Sequence, residues 1–217
     1  MQIDEIKVPE QSNKGLQDFY KELEFNAFVT EEQAEKKVVE YRTLKSIDDL
    51  SMIENLIHES KCFAFDTETT SIDSLEAELV GVSFSFEANS GYYLPIAHQE
   101  KTAISRDEAL RWLKQIIEAS QDKVIGQNLK YDLQVLRNHQ INIKKFYADT
   151  MLMSYSINST ASRHNLDALA EYYLNIKTIK FEDVMGKGKN KLKNFSEVPI
   201  KEATNYAAED ADITLQL

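Results

Sequence analysis

Four carboxylates and one phenol stand out for the chemistry they could do together. Asp66 and Glu68 lie two residues apart in Phe65-Asp66-Thr67-Glu68-Thr69, at the end of the apolar run Cys62-Phe63-Ala64-Phe65. In an extended chain, residues i and i+2 point to one face. Both carboxylates are thus presented side by side where a buried strand ends, a place where α/β folds often build their sites. Such a pair repels itself unless a cation sits between the two groups, and an oxygen-rich cluster favours a hard cation such as Mg²⁺. The pair alone says little. With 14 Asp and 22 Glu among 217 residues, roughly one Asp-x-Glu arises by chance, and two solvated turn carboxylates would read the same.

The third carboxylate, Asp132, sits in Gly126-Gln127-Asn128-Leu129-Lys130-Tyr131-Asp132, where a strand runs into a helix. Asn128 reads as the N-cap. Asp132 in the first turn either joins the site or merely complements the helix dipole. The fourth, Asp210, follows Tyr206 by one helical turn in Tyr206-Ala207-Ala208-Glu209-Asp210. Residues four apart share a helix face, so a phenol beside a metal-bound carboxylate could orient a water. A packing Tyr and a surface Asp would give the same text.

The elements that must carry these groups are legible in outline. Asp48 to Glu59 reads as a helix and Cys62 to Asp66 as a buried strand. Leu79-Val80-Gly81-Val82-Ser83-Phe84-Ser85-Phe86 alternates with period two, as a half-buried strand does. Asn89-Ser90-Gly91 is a turn and Tyr92 to Ile96 a third strand, completing an antiparallel meander. A helix follows the capping signature Ser105-Arg106-Asp107-Glu108. Lys123 to Gly126 is a fourth strand, and Leu129–Asn138, His164–Leu174 and Ile200–Leu217 are helices. Hairpin strands followed by alternating strands and helices predict a mixed α/β sheet flanked by helices. Residues 1–40 differ in texture. Gly15 to Phe25 could form a short amphipathic helix, and Glu31 to Lys37 is polar on every side, so this stretch reads as a linker or the tail of a neighbouring domain.

Composition narrows the function classes. The balance of 42% hydrophobic and 28% charged residues is that of a globular protein and excludes collagen, coiled coil and wholesale disorder. The one cysteine, Cys62, allows no intrachain disulfide and no Cys-rich zinc site. No run of about 18 apolar residues spans a membrane, and Met1 to Glu5 does not read as a signal peptide. The expectation is a soluble protein of a reducing compartment. The net charge of −11 argues against nucleic-acid binding through bulk charge but leaves room for a local groove or metal ions.

Each motif is weak, but the set in this order is not. Asp66-Thr67-Glu68-Thr69, Asn128-Leu129-Lys130-Tyr131-Asp132 and Tyr206-Ala207-Ala208-Glu209-Asp210 resemble the three motifs of the DEDD exonucleases, with Tyr206 marking the DEDDy branch. Adding Phe63 to Phe65, Leu79-Val80-Gly81, Gly186-Lys187-Gly188-Lys189-Asn190 and the run to Leu217, residues 41–217 are similar to the 3′–5′ proofreading exonuclease domains of bacterial DNA polymerases I. The resemblance implies a ribonuclease H-like fold and a cytoplasmic, nucleoid-associated bacterial enzyme that acts as a monomer. It also implies that residues 1–25 end a 5′-nuclease region and that a polymerase region would begin after Leu217.

By that resemblance the domain hydrolyses the 3′-terminal phosphodiester of single-stranded or frayed DNA and releases nucleoside monophosphates. Two Mg²⁺ ions about 4 Å apart, with Mn²⁺ or Zn²⁺ as alternatives, would clamp the attacking and leaving oxygens. Asp66 would bridge both. Glu68 and Asp210 would complete one site, and Asp132 would hold the second ion through water. Tyr206 and Glu68 would position the attacking water. Ile72 and Phe181 match apolar contacts to the terminal bases, although ordinary core positions remain an alternative for both. Gln127, Asn128, Tyr131 and Arg163 match contacts to the terminal nucleotides or phosphates. Lys187, Lys189, Lys191 and Lys193 form an acid-free run that either tracks a phosphate backbone or is a solvated loop. The run lacks the Gly-Lys-Ser/Thr ending of a P-loop. His58, His98, His139 and His164 have no ligand-like spacing, and Trp112 and Cys62 read as packing residues. Two other functions stay open: a silent structural module, and an RNA exonuclease like RNase D, which shares the DEDDy motifs.

Overall fold

The computed structural model describes residues 19–20, 38–160, 163–188 and 191–217. Most of the Gly15–Phe25 helix expected from the sequence lies outside them. Residues 39–217 form one compact unit.

Its centre is a six-stranded mixed sheet in the order β1-β4-β3-β2-β5-β6. The strands are β1 (Glu40–Thr43), β2 (Phe63–Thr69), β3 (Leu79–Ser85), β4 (Ser90–Pro95), β5 (Val124–Gly126) and β6 (Ala148–Asp149). The expected meander is present: β2 pairs antiparallel with β3, and β3 with β4. The edges are parallel, with β1 beside β4, and β5 between β2 and β6. The helices are α1 (Ile47–Glu59), α2 (Arg106–Ser120), α3 (Leu129–Asn138), α4 (Thr150–Ile157), α5 (Leu166–Leu169, continuing as a π turn over Ala170–Leu174), α6 (Phe181–Met185) and α7 (Ile200–Gln216). Ser46 and Ser105 cap α1 and α2 by accepting from the third backbone N–H of each helix.

Two cores sandwich the sheet. On one face Phe63 and Phe65 of β2 pack with Val82 and Phe84 of β3 and with apolar residues of α1, α2 and α3, such as Ile53, Leu113 and Val135. Burying each such side chain contributes about 1.5–3 kcal/mol. On the other face Val80, Tyr93, Met185, Phe195 and Val198 pack with Ala203 and Ala207 of α7. The period of two along β2 therefore sends its odd residues toward α3 and its even residues, Asp66 and Glu68, toward α7.

The sequence expectation for β3 needs correction. Its alternating pattern reads as half-buried, yet all seven residues are buried. Its polar-looking face consists of Gly81, Ser83 and Ser85, small residues that leave room for the Tyr93 ring over Gly81 and for α7, whose Ala203, Ala207, Ala208 and Ala211 are fully buried. The approach is so close that a Cβ at Gly91 of β4 would lie 2.6 Å from the Ala208 carbonyl oxygen. That contact sets the height of α7 above the sheet, and with it the reach of Tyr206 and Asp210.

Candidate active site

Strand β2 does not stop at Asp66, as its apolar stretch alone implies, but runs on to Thr69. Both carboxylates therefore lie within a paired strand, Asp66 opposite Ser83 and Glu68 opposite Gly81. Hydrogen bonding to β3 fixes their backbone. Directly over them, α7 delivers Asp210. One carboxylate oxygen from each of Asp66, Glu68 and Asp210 falls within 4.8 Å of the others. Asp132, the fourth acid, comes from α3. It is buried and accepts a hydrogen bond from Thr67 Oγ1 at 2.5 Å. Asp132 also feels the charge of Asp66, although it lies outside the group of three acids.

The electrostatics are those of a site built for positive charge. Burial pushes Asp66 up to about 7. Burial raises Glu68 well above the carboxylate range, and the charges of Asp66, Asp210 and Asp132 add to the shift. Burial and Asp66 do the same to Asp132 and Asp210. The main charges acting on these acids are one another's, so they cannot all ionise together without a cation among them. An all-oxygen donor set of this kind fits Mg²⁺ or Mn²⁺.

Tyr206 stands beside Asp210 on α7, and their contact favours the Asp210 carboxylate. Burial, then Asp210, Glu68 and Asp66, push the phenol far above its ordinary value. Tyr206 therefore keeps its proton and acts as a donor. Its ring meets Phe181 edge-on at 6.2 Å and Phe195 at 5.9 Å. Phe181, which also stacks on Phe195 at 6.4 Å, is 47% exposed. Ile72 is 97% exposed on the β2–β3 loop. Neither is an ordinary core residue.

The remaining candidates are placed unequally. Asn128 is exposed, and its backbone is left-handed at φ 63°. Its side chain does not cap α3. That task falls to Asp149, whose carboxylate accepts from Asn128 N at 3.2 Å and Leu129 N at 2.8 Å. Gln127 is committed internally: its amide donates to His164 O at 2.8 Å, and its oxygen accepts from Thr150 Oγ1. The Tyr131 hydroxyl bonds Thr69 Oγ1 at 2.5 Å and donates to Ser71 O. Arg163 is exposed next to His164. Lys187, Lys191 and Lys193 are exposed, and Lys187 pairs with Glu182 at 3.2 Å. Lys189 lies outside the described residues.

His58 is exposed, whereas His98 and His164 are held by internal hydrogen bonds. His98 bonds Tyr93 Oη at 2.8 Å and Val198 O at 3.0 Å, and His164 bonds Ser154 Oγ at 2.8 Å. Trp112 packs edge-on against Phe84 and donates to Glu54.

Among known proteins, the family model described as 3′-5′ exonuclease, that of the family A DNA polymerases, matches residues 41–217. DNA polymerase I of Pseudomonas aeruginosa is 37% identical over 236 residues, covering 100% of this chain and 26% of the relative. The chain spans about a fifth to a quarter of the length of the curated relatives it matches. Trypanosoma brucei RNase D superposes with a TM-score of 0.62 at 12% identity, over 83% of this chain and 64% of that one. Brucella melitensis NrnC with bound Mg²⁺ superposes at 0.52 and 18% identity, over 83% and 78%. These likenesses agree with the expected ribonuclease H-like α/β fold. The chain belongs to the 3′-5′ exonuclease domain family of the DNA polymerases I.

Proposed function

We propose that this domain removes nucleotides one at a time from the 3′ end of single-stranded or frayed DNA, as the proofreading part of a longer polymerase chain. The observation that carries this reading is the gathering of Asp66, Glu68 and Asp210 within 4.8 Å, with Asp132 beside them. Kinship with DNA polymerase I supports DNA as the substrate. The four carboxylates would hold two Mg²⁺ ions, or Mn²⁺ or Zn²⁺ in their place. Bound there, the ions supply a hydroxide nucleophile near neutral pH and neutralise charge on the leaving 3′ oxygen.

The chain's own groups do the rest. Asp66 faces each of the other three acids electrostatically and is the natural shared ligand. The permanently protonated Tyr206 donates to the attacking water or to a phosphate oxygen, and Glu68 accepts the water's hydrogen. The bond formed joins the water oxygen to phosphorus, and the bond broken is that from phosphorus to the 3′ oxygen of the next nucleotide, which takes a proton from solvent while the attacking water's proton leaves by way of Glu68. Phe181 and Ile72 offer exposed apolar surface to unpaired bases. Asn128 and Arg163, both exposed, would contact the terminal nucleotides or phosphates, while Gln127 and Tyr131, whose polar groups are bonded internally, would support that surface.

In the same reading, residues 1–40 are the linker or tail of a preceding 5′-nuclease region. The domain acts as a monomeric unit in the bacterial cytoplasm at the nucleoid. No helix among the described residues is long and apolar enough to cross a membrane. The test is hydrolysis of DNA and RNA oligonucleotides of one sequence. Preferential shortening of DNA from its 3′ end supports the reading, and a preference for RNA overturns the substrate assignment.

A further inference from the structure

The loop between β2 and β3, residues 70–78, carries Ile72 at 97% exposure and Leu75 at 71%. A loop that displays apolar side chains to solvent would ordinarily fold them away or move. This one is tied down along its length. Its neck is closed by Thr70 N donating to Glu78 O at 3.1 Å and by Glu78 N donating to Thr70 Oγ1 at 3.0 Å. Inside it, Ser71 Oγ accepts from Asp73 N, and Asp73 Oδ1 accepts from Leu75 N, both at 3.0 Å.

Thr69 Oγ1 donates to Ser71 O at 3.0 Å, and Arg106 of α2 pairs with Glu78 at 2.6 Å; the other ties come from α3 and the residue that follows it. Near the start of α3, the Tyr131 hydroxyl donates to Ser71 O, and Thr69 Oγ1 lies 2.5 Å from the Tyr131 hydroxyl oxygen. At its end, Asn138 Nδ2 donates to Ser74 O at 2.9 Å and reaches Leu75 O and Ala77 O at 3.4 Å. His139, the next residue, accepts from Leu79 N at 3.2 Å. Tyr131 and Asn138 are seven residues apart, so they share a helix face and stand about 10 Å apart along it. The loop lies against α3 as against a splint, pinned at both ends. Asp132, the neighbour of Tyr131, is bonded to Thr67, so the same helix that supplies an acid to the site also fixes the loop that projects Ile72.

We propose that Tyr131 and Asn138 are positioning residues that hold the loop carrying Ile72 in the form that receives an unpaired base, with the Tyr131 hydroxyl serving the loop instead of the nucleotide. The part that concerns DNA rests on the exonuclease reading above. Asn138 makes the idea separable from direct contact, because it is two turns along α3 from Tyr131; its Nδ2 donates to loop carbonyls, and its Oδ1 accepts only from Gln134 of the same helix at 3.2 Å.

The experiment compares wild type, Tyr131→Phe and Asn138→Ala. Amide hydrogen exchange of residues 71–77 is measured on the free domain in EDTA. Loss of one or two net hydrogen bonds should accelerate it about tenfold in each variant, while Leu133 to Leu136 of α3 keep their protection. Steady-state hydrolysis of a single-stranded DNA 3′ end is measured with Mg²⁺. Both variants should raise KM about fivefold with kcat within about twofold, as should Ile72→Ala. Adding Asn138→Ala to Ile72→Ala should give no further rise, the mark of residues acting through one another. Unchanged exchange in both variants overturns the proposal. So does a normal KM in Asn138→Ala when exchange is accelerated. A wild-type domain that leaves DNA intact refutes the exonuclease reading instead, and the exchange result still decides whether the helix holds the loop.

Discussion

Replacing Asp66 with Asn should make the metal-free domain more stable, although it destroys the site. Asp66 acts on Glu68, Asp132 and Asp210 alike, so its charge is the one whose removal relieves the whole cluster. Burial moves it from 3.8 to about 7 in the folded state. That rise of roughly three units corresponds to at most about 4 kcal/mol at pH 8, at about 1.4 kcal/mol per unit. Because the Asp66 residue keeps some solvent exposure, screening by water should leave about 1–2 kcal/mol. The sign follows from linkage. Below pH 4 the carboxyl is protonated whether the chain is folded or not, and it carries no penalty. Between pH 4 and 7 the unfolded chain releases the proton first, so the native state loses stability as pH rises, and above 7 the loss is constant. Asp66→Asn should therefore melt about 3–6 °C above wild type in EDTA at pH 8, with about a third of that gain at pH 5. Addition of Mg²⁺ should raise the wild-type midpoint and leave the variant's nearly unmoved. Thermal unfolding by calorimetry at the two pH values, with EDTA and with Mg²⁺, measures all of this. A variant that is no more stable than wild type at pH 8 in EDTA would refute the picture of a strained acid cluster awaiting a cation.

Other consequences are more local. Tyr206→Phe keeps the ring packed against Phe181 and Phe195 but removes the proton donor, so kcat should fall about tenfold to a hundredfold with KM nearly constant in steady-state assays. Phe181→Ala should instead raise KM about tenfold and spare kcat, because loss of one base–aromatic stack weakens binding; equal losses in both parameters would contradict its assignment. Asp149→Ala removes the acceptor for Asn128 N, Leu129 N and Leu152 N. It should cost about 1–2 kcal/mol in urea unfolding, an effect that Asn128→Gly, which keeps the left-handed backbone without strain, should not reproduce.

What could be read from the residues, and what could not, divides by the range of the forces involved. The strands of the meander and the span Leu129–Asn138 were legible because their periodicity is local and strong. The edge strands β1 and β6, the helix α4 and the short helix α6 were not anticipated. With four, two, eight and five residues, they owe their form to neighbours more than to their own pattern. Asn128 stands at the N-cap position of α3, as its residue type suggests, but its side chain makes no cap bond. An Asn before a helix is a good cap, but Asp149 arrives from the next parallel strand and takes both N–H groups, freeing Asn128 to turn left-handed. The burial of β3 on both faces was masked by Ser83 and Ser85, whose small size, and not their polarity, is what α7 requires. The acids themselves were legible as an ordered set of motifs. Their convergence was not, since it depends on β2 continuing through Glu68 and on α7 lying close enough over Gly91 for Asp210 to reach. The roles of Tyr131 and Asn138 as ties to the Ile72 loop carried no local signal; spacing of seven on one helix face was the trace they left.

The central claim is a metal-dependent attack on a 3′ end by groups held at Asp66, Glu68, Asp132 and Asp210. A 5′-labelled single-stranded DNA oligonucleotide, followed over time with wild type and Asp210→Ala in Mg²⁺ or EDTA, tests it most directly. The account predicts a ladder that shortens from the 3′ end for wild type in Mg²⁺ alone, with the variant and both EDTA reactions silent. An oligonucleotide left intact by folded wild-type domain in Mg²⁺, or shortened equally by Asp210→Ala, would contradict it.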